Sequence, residues 1–523
     1  MTDNIDTSPT TAASPAASHP ARRGVLAGYG ATVFASSAVL LVLEIVAGRL
    51  VAPYVGVSLY TWTSIIGVIL AGLSLGNWLG GVWADKGADS RSVGWVLAVG
   101  GLYCLLSLAI LNPLGAAVQS QGLTLLSASF TFAAVLFFVP AALIGIVTPL
   151  LTTLALRLDP RAGHVVGRMH ALAAIGSIAG TFAAGYWLVQ SFGTRAVVLG
   201  SGLALLALGA PFLRGSARPA QALLLVGVLA AGLLAVLRDG LVSSCDRESA
   251  YFCIRVVERP DLAPPGMARG LVLDHLLHGI NHLAEPDLLI APYVHGLDEL
   301  AYAHFLSAYD DGLDWFFAGG GAYSQPRAVQ ALSPASSVTV AELDPMVTLT
   351  AAESLGLRPA GMTIEHRDAR LALADSDETF DVIVGDVFHD VAIPYHLVTR
   401  EFAALVRERL APDGLYLMNV VDTFPDPRLI KAIAKTLQTQ FRHVDIWMDQ
   451  APEDPRVTFI VSANNGPRLP RTIPARRSFE RAWSRMTEDI MAYGTPPREI
   501  PLLTDDYAPV EQLIAGLLLG EDG

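Results

Sequence analysis

The sequence predicts two unlike halves: an α-helical multi-span membrane domain, then an α/β domain on a doubly wound parallel sheet. Three observations carry this reading. The chain has 523 residues, is 52% hydrophobic and only 16% charged, where a soluble domain carries about 25% charge. Ser92 to Leu156 runs 65 residues without Asp, Glu, Lys or Arg. After residue 310, short apolar strands alternate with helical segments, the pattern of a parallel sheet with helical crossovers.

The charge divides the chain in the same place. Gly24–Leu237 holds four acidic and nine basic residues, whereas the chain from Arg238 onward holds 42 acidic and 24 basic ones. An acidic soluble half argues against a nucleic-acid partner, whose phosphates need Lys and Arg. The predicted organisation is a disordered tail over 1–23, a transmembrane domain over 24–238, a small β lead-in over 239–310 and the α/β domain over 311–515. A span needs about 20 apolar residues, and seven are expected near 25–47, 59–83, 93–112, 127–155, 165–189, 196–213 and 221–237. The lipid bilayer is thus a partner. Pro140 and Pro149 fall in the long fourth segment and predict a kink or break there. Glu44 lies inside the first span, where a carboxylate is costly and often functional. Gly76, Gly80 and Gly81 have the small-residue spacing of close helix packing.

In the second half, 251–258 and 270–274 read as lead-in strands. Strands at 315–318, 338–341, 362–365, 381–384 and 414–420 follow, with a helix at 401–410. Ligands of such sheets sit outside the carboxyl ends of the strands, and there the distinctive residues collect. Gly319, Gly320 and Gly321 follow the first of these strands, so backbone can approach a ligand without an intervening Cβ. Glu342 ends the second strand, where a carboxylate can accept both hydroxyls of a ribose. Asp368 and Ala369 follow the third, and Asp386 follows the fourth. The absence of a full G-x-G-x-x-G favours an S-adenosylmethionine-type ligand over a dinucleotide. His275, His278 and His282 are spaced by three and four but follow a strand and read as loop or pocket residues, so no metal is expected.

FAGGGAYSQPR (317–327), AELDPMV (341–347), HRDAR (366–370) and DVIVGDVFHDVAIPYHLVTREF (381–402) together resemble the spermidine synthase family. RGLVLDHLLHGINH (269–282) and LTDDYAP (503–509) add to the resemblance, which is to bacterial members fused to a multi-span membrane domain and covers about 250–510. It implies a Rossmann-like S-adenosylmethionine-type methyltransferase fold with a small β lead-in. It implies transfer of an aminopropyl group from decarboxylated S-adenosylmethionine to putrescine or a similar cationic amine, with methylthioadenosine released and no metal required. By position, Gly319 to Gly321 would pass beneath the cosubstrate, Glu342 would hold its ribose, and Asp368 and Ala369 would flank its adenine. Asp386 would be the catalytic carboxylate. His278, Tyr293, His389 and Asp390 would face the amine. A homodimer is compatible with the resemblance.

The chain departs from the family pattern at the amine end. Ala322 stands where an acidic residue is usual, His278 where a glutamine is, and His389 where a second aspartate often lies. These changes keep open a methyltransferase using intact S-adenosylmethionine on the same sheet, and Glu44 with the large membrane half keeps open a polyamine transporter or sensor with a non-catalytic soluble domain. Sidedness divides the arguments. Basic residues at 22, 23, 86, 91, 157, 161, 168, 214 and 218 oppose only Arg49 and Arg195, which places the N-terminus inside. Seven crossings would then leave the acidic half outside, in the compartment where Cys245 and Cys253 could pair. The cosubstrate is a cytoplasmic compound, however. The expectation is therefore a multi-pass cell-membrane protein with a cytoplasmic catalytic domain, the 221–237 segment lying in the membrane without crossing.

Overall fold

The computed structural model describes residues 20–262, 267–388, 392–450 and 455–516. Most of the expected tail lies outside these residues, but helix begins by Pro20, so Arg22 and Arg23 belong to the first helix rather than to a tail. Seven helices are long and apolar enough to cross a membrane: α1 (Arg22–Val55), α2 (Leu59–Asp85), α3 (Ser90–Ser120), α4 (Leu125–Leu158), α5 (Ala162–Phe192), α6 (Thr194–Leu213) and α7 (Arg218–Leu237). Ser58, Asp89 and Thr124 cap α2, α3 and α4 by accepting from a backbone N–H three residues on, the usual role of Ser, Asp and Thr there.

The expected break in the fourth segment is a π-turn instead. Ala134–Phe138 widens the helix just before Pro140, and the Tyr103 hydroxyl donates to the Val135 carbonyl at 2.6 Å. The proline lacks an N–H; the π-turn accommodates it and the helix continues. Gly76 and Gly80 bring α2 against the backbone of α4. A Cβ on Gly76 would stand 2.0 Å from the Ala142 carbonyl oxygen, whereas one on Gly81 would meet nothing. Only two of the three glycines therefore serve the crossing. The segment expected to lie in the membrane without crossing is α7, a helix of 20 residues, the length a crossing needs.

Loops 86–89, 159–161 and 214–217 gather at the N-terminal end of the bundle, and the soluble half attaches at the other end. There Arg49 donates to the carbonyls of Ser249 (2.7 Å) and Tyr251. Arg195 donates to the Asp239 carbonyl at 2.8 Å. Glu248 accepts the backbone N–H of Thr194 at 2.9 Å, and Glu511 accepts that of Leu59 at 3.0 Å. Cys245 and Cys253 form a disulfide beside these contacts.

The lead-in is a four-stranded antiparallel sheet of β1 (Arg247–Glu248), β2 (Cys253–Glu258), β3 (Ala268–Leu273) and β4 (Leu276–His282). The segment holding His275, His278 and His282 is thus mostly a strand, not the loop expected. α8 (Pro292–Phe305) leads to the second sheet, in which α9 (Ser324–Leu332) is the first crossover. Its strands are β5 (Asp314–Ala318), β6 (Ser337–Ala341), β7 (Met362–Glu365), β8 (Phe380–Gly385), β9 (Leu410–Thr423), β10 (His443–Met448), β11 (Arg456–Asn464), β12 (Thr472–Pro474) and β13 (Ala482–Arg485).

The order is β12-β13-β10-β11-β9-β8-β5-β6-β7. β5 to β9 pair in parallel, and β10 to β13 extend the sheet antiparallel. The sheet is therefore mixed, and its parallel part is the doubly wound unit expected. Trp315, Phe316, Phe317, Val382, Ile383 and Val384 are buried. This is why β5 and β8 read as unbroken apolar runs: both faces of the sheet are covered. The order reverses between β5 and β8, which makes that crevice the topological switch point.

Gly76→Leu should lower the stability of the membrane half by ~1–3 kcal/mol through overpacking, while Gly81→Leu leaves it unchanged. Thermal midpoints of the two detergent-solubilised variants check this. Equal losses would mean that the α2–α4 crossing is not set by Gly76.

Candidate active site

The chain leaves β5 at Ala318 and turns sharply. Gly319 has φ +89° and Gly321 φ +49°, conformations that glycine adopts at no steric cost. A Cβ on Gly319 would lie 2.4 Å from the Asp386 carbonyl oxygen, so the loop after β5 packs directly on the residue after β8. Two backbone bonds hold this junction: Asp386 N–H to the Ala318 carbonyl at 3.0 Å, and Gly319 N–H to the Ala341 carbonyl at 2.9 Å.

Glu342 locks the glycine loop from beneath. Its Oε2 accepts from Gly320 N (2.9 Å) and Gly321 N (3.2 Å), and its Oε1 accepts from Asp344 N (2.9 Å). The side chain is buried. Burial raises its pKa, partly offset by those backbone bonds. Asp344 in turn caps α10 (Pro345–Ser354) and accepts from the Ser249 hydroxyl, which ties the lead-in to this corner.

Asp368 caps α11 (Ala369–Asp375), accepting from Arg370 N at 3.0 Å and Leu371 N at 3.2 Å. Its other oxygen meets His396 Nε2 at 2.8 Å. Ala369 is buried at the start of that helix. The C-terminal motif closes on the same edge. Asp505 accepts two bonds from Arg370, at 2.8 and 2.7 Å, and one from the Thr399 hydroxyl at 2.7 Å. HRDAR and LTDDYAP are thus spatial partners.

Asp386 faces a narrow cleft of about 20 Å³ between the glycine loop, β4 and α8, lined by His278, Tyr293, Gly319, Gly320, Ala322 and Gln325 among others. Asn419 Nδ2 donates to Asp386 Oδ1 at 3.0 Å, and the Tyr293 hydroxyl bonds the same carboxylate. The His278 carbonyl, 3.3 Å from the Tyr293 hydroxyl, competes for its one proton. Desolvation pushes the Asp386 carboxyl up to about 6, against the pull of Asn419 and Tyr293. A carboxyl so tuned is ionised at neutral pH yet basic enough to take a proton. Perturbed groups of this kind in a cleft mark functional sites.

The structure therefore brings together His278, Tyr293, Gly319, Gly320 and Asp386. Glu342 and Gly321 stand immediately behind them, and Asp368 and Ala369 lie two strands away at the end of β7. His389 and Asp390 lie outside the described residues. Sequence reasoning missed Asn419, whose signal was one amide inside the apolar run LYLMNVV. It also missed Gln325, a buried side chain on the cleft wall, and His396, which only the fold carries to Asp368. Among the described residues no three metal-ligating side chains converge.

Two curated relatives match the chain. A protein of Bifidobacterium longum named probable polyamine aminopropyl transferase is 25% identical over 287 residues, covering 51% of this chain and 61% of the relative. The polyamine aminopropyltransferase of Vibrio vulnificus is 33% identical over 109 residues, covering 20% of this chain and 36% of the relative. The chain thus spans less than two thirds of either relative. No family model matches. Among solved structures, a probable spermidine synthase from Corynebacterium glutamicum is 20% identical, with 50% of this chain and 97% of that one covered and a TM-score of 0.43. A spermidine synthase in complex with the transition-state analogue AdoDATO is 18% identical, with coverages of 52% and 86% and a TM-score of 0.33. The named relatives belong to the family whose motifs the sequence resembles.

Glu342→Gln would set an amide N–H₂ against a backbone N–H that now has a carboxylate acceptor. Loss of a buried bond to a charged group costs ~1–3 kcal/mol, so the thermal midpoint of the soluble half should fall. An unchanged midpoint would mean the glycine loop does not depend on Glu342.

Proposed function

We propose that this chain is a membrane-bound aminopropyltransferase: it moves the aminopropyl group of decarboxylated S-adenosylmethionine to putrescine or a similar amine and releases methylthioadenosine. The observation that carries the reading is the Asp386 carboxylate. It stands at the switch point of the sheet, packed on the glycine loop and bonded by Asn419 and Tyr293. The two named relatives support the reaction class.

In this proposal the nucleoside lies across the ends of β5, β6 and β7. The positive-φ loop at Gly319–Gly321 leaves room for it, and Glu342 keeps one oxygen with a single donor, so that oxygen can still accept from a ribose hydroxyl. Asp368 and Ala369 border the base. The amine enters the cleft beside His278 and Tyr293.

The chemistry needs little beyond placement and one proton acceptor. The sulfonium already makes sulfur a good leaving group. The amine lone pair attacks the adjacent carbon, the C–S bond breaks with its electrons on sulfur, and a neutral thioether leaves. What is lacking is a neutral amine, because an alkylamine is protonated at neutral pH. Asp386 binds the ammonium, takes its proton and so frees the lone pair. Alignment of nitrogen and carbon supplies much of the remaining acceleration. Asn419 and Tyr293 hold the carboxylate in place and limit how far burial raises its pKa.

Purified protein should convert decarboxylated S-adenosylmethionine and an amine to methylthioadenosine and a longer polyamine, identified by mass. Methylated amine formed from intact S-adenosylmethionine would replace this reading with a methyltransferase. Asp386→Asn should reduce turnover on the order of 10²–10⁴-fold. Turnover of the unaltered protein should fall as pH drops below about 6, where Asp386 becomes protonated. The Asn419 bond stabilises the ionised form, so Asn419→Leu should shift that acidic limb upward. A limb that does not move would separate Asn419 from the tuning of Asp386.

A further inference from the structure

We infer that the soluble half lies on the outer face of the membrane, opposite the basic loops, and works in an oxidising compartment. Two independent observations carry this. The first is geometric. The seven helices are all long enough to cross, and the contacts from the bundle to the soluble half come from one end of it, at Arg49, Leu59, Thr194 and Arg195. Nine basic residues between 22 and 218 lie toward the opposite end, where Arg157 donates to the Ala88 carbonyl at 3.3 Å and Arg23, Arg161 and Arg168 line one cleft. Basic residues in short loops mark the cytoplasmic side. On the soluble side, Arg49 and Arg195 donate to carbonyls of the segment leaving α7 and so act there as fasteners, and Arg238 caps the end of α7.

The second observation is covalent. Cys245 and Cys253 are paired just beyond α7, and structural disulfides persist in secreted or extracytoplasmic settings rather than in reducing ones. Each observation points outward without the other. The expectation of a cytoplasmic domain needed the last segment not to cross, and α7 has a crossing's length.

The consequence for supply rests on the proposed reaction. A cationic sulfonium nucleoside meets a steep barrier in hydrocarbon. A transport step that carries it outward must therefore precede this reaction, and the acceptor amine is drawn from the outer side.

The test uses intact cells making the full chain and a membrane-impermeant maleimide. Cys104 is buried within α3, so the reporters are the paired cysteines. Labelling should be absent at first and should appear at Cys245 after an impermeant reductant, without permeabilisation. In a Cys245→Ser/Cys253→Ser background, Gly163→Cys at the opposite end should label only after permeabilisation. The reverse pattern would overturn the inference. Should that background fail to accumulate, protease added to intact cells decides: loss of the soluble half supports the outer face, and its survival until lysis refutes it. Reversed labelling with normal aminopropyl product would overturn sidedness alone. Outward labelling with no such product would overturn the reaction alone.

Discussion

The site depends on the contact between Gly319 and the backbone of Asp386. β5 and β8 are neighbours in space but far apart in the chain, and the sheet reverses its order between them. The ladder bond from Asp386 N–H to Ala318 sets the height of both strand ends. Glycine at 319 lets the two turns close on each other, because any Cβ would collide with the Asp386 carbonyl. The glycine loop and the carboxylate are consequently placed by backbone geometry, and the side chains around them refine that placement.

Around this junction the polar groups form a connected frame. Glu342 holds the loop, Asp344 ties the lead-in to α10, and Arg370, Asp505 and Thr399 fasten the C-terminal motif to the end of β7. Each carboxylate that is withdrawn from water has backbone or charged donors to offset the cost of burial. At Asp386 desolvation outweighs the bonds from Asn419 and Tyr293, and the carboxyl rises to about 6. A frame that satisfied it fully would hold that carboxyl lower.

The joint between the halves follows the same physics. The segment after α7 must leave the bundle without stranding its carbonyls, and Arg49 and Arg195 satisfy three of them. The disulfide closes the turn that follows. The soluble half is thus fastened to the bundle at several points and does not hang from a single linker.

Much of this was legible in the sequence because its signals are local. Apolar runs of span length stand out in composition alone, so the seven segments could be counted from it. Strands buried on both faces read as apolar runs, and glycines and carboxylates at their ends name the edge where a ligand would sit. Tertiary structure decided what depends on distant pairing. The antiparallel strands β10 to β13 carry no signature that tells a sheet extension from a separate unit. His278 looked like part of a loop because its strand alternates irregularly and pairs only with β3. Asn419, His396 and Asp505 gained their roles from partners 33, 28 and 135 residues away. The Cys245–Cys253 pairing was open in the sequence and is made in the structure, whereas the attachment of the soluble half to one end of the bundle was decided by three-dimensional proximity, which no local pattern encodes.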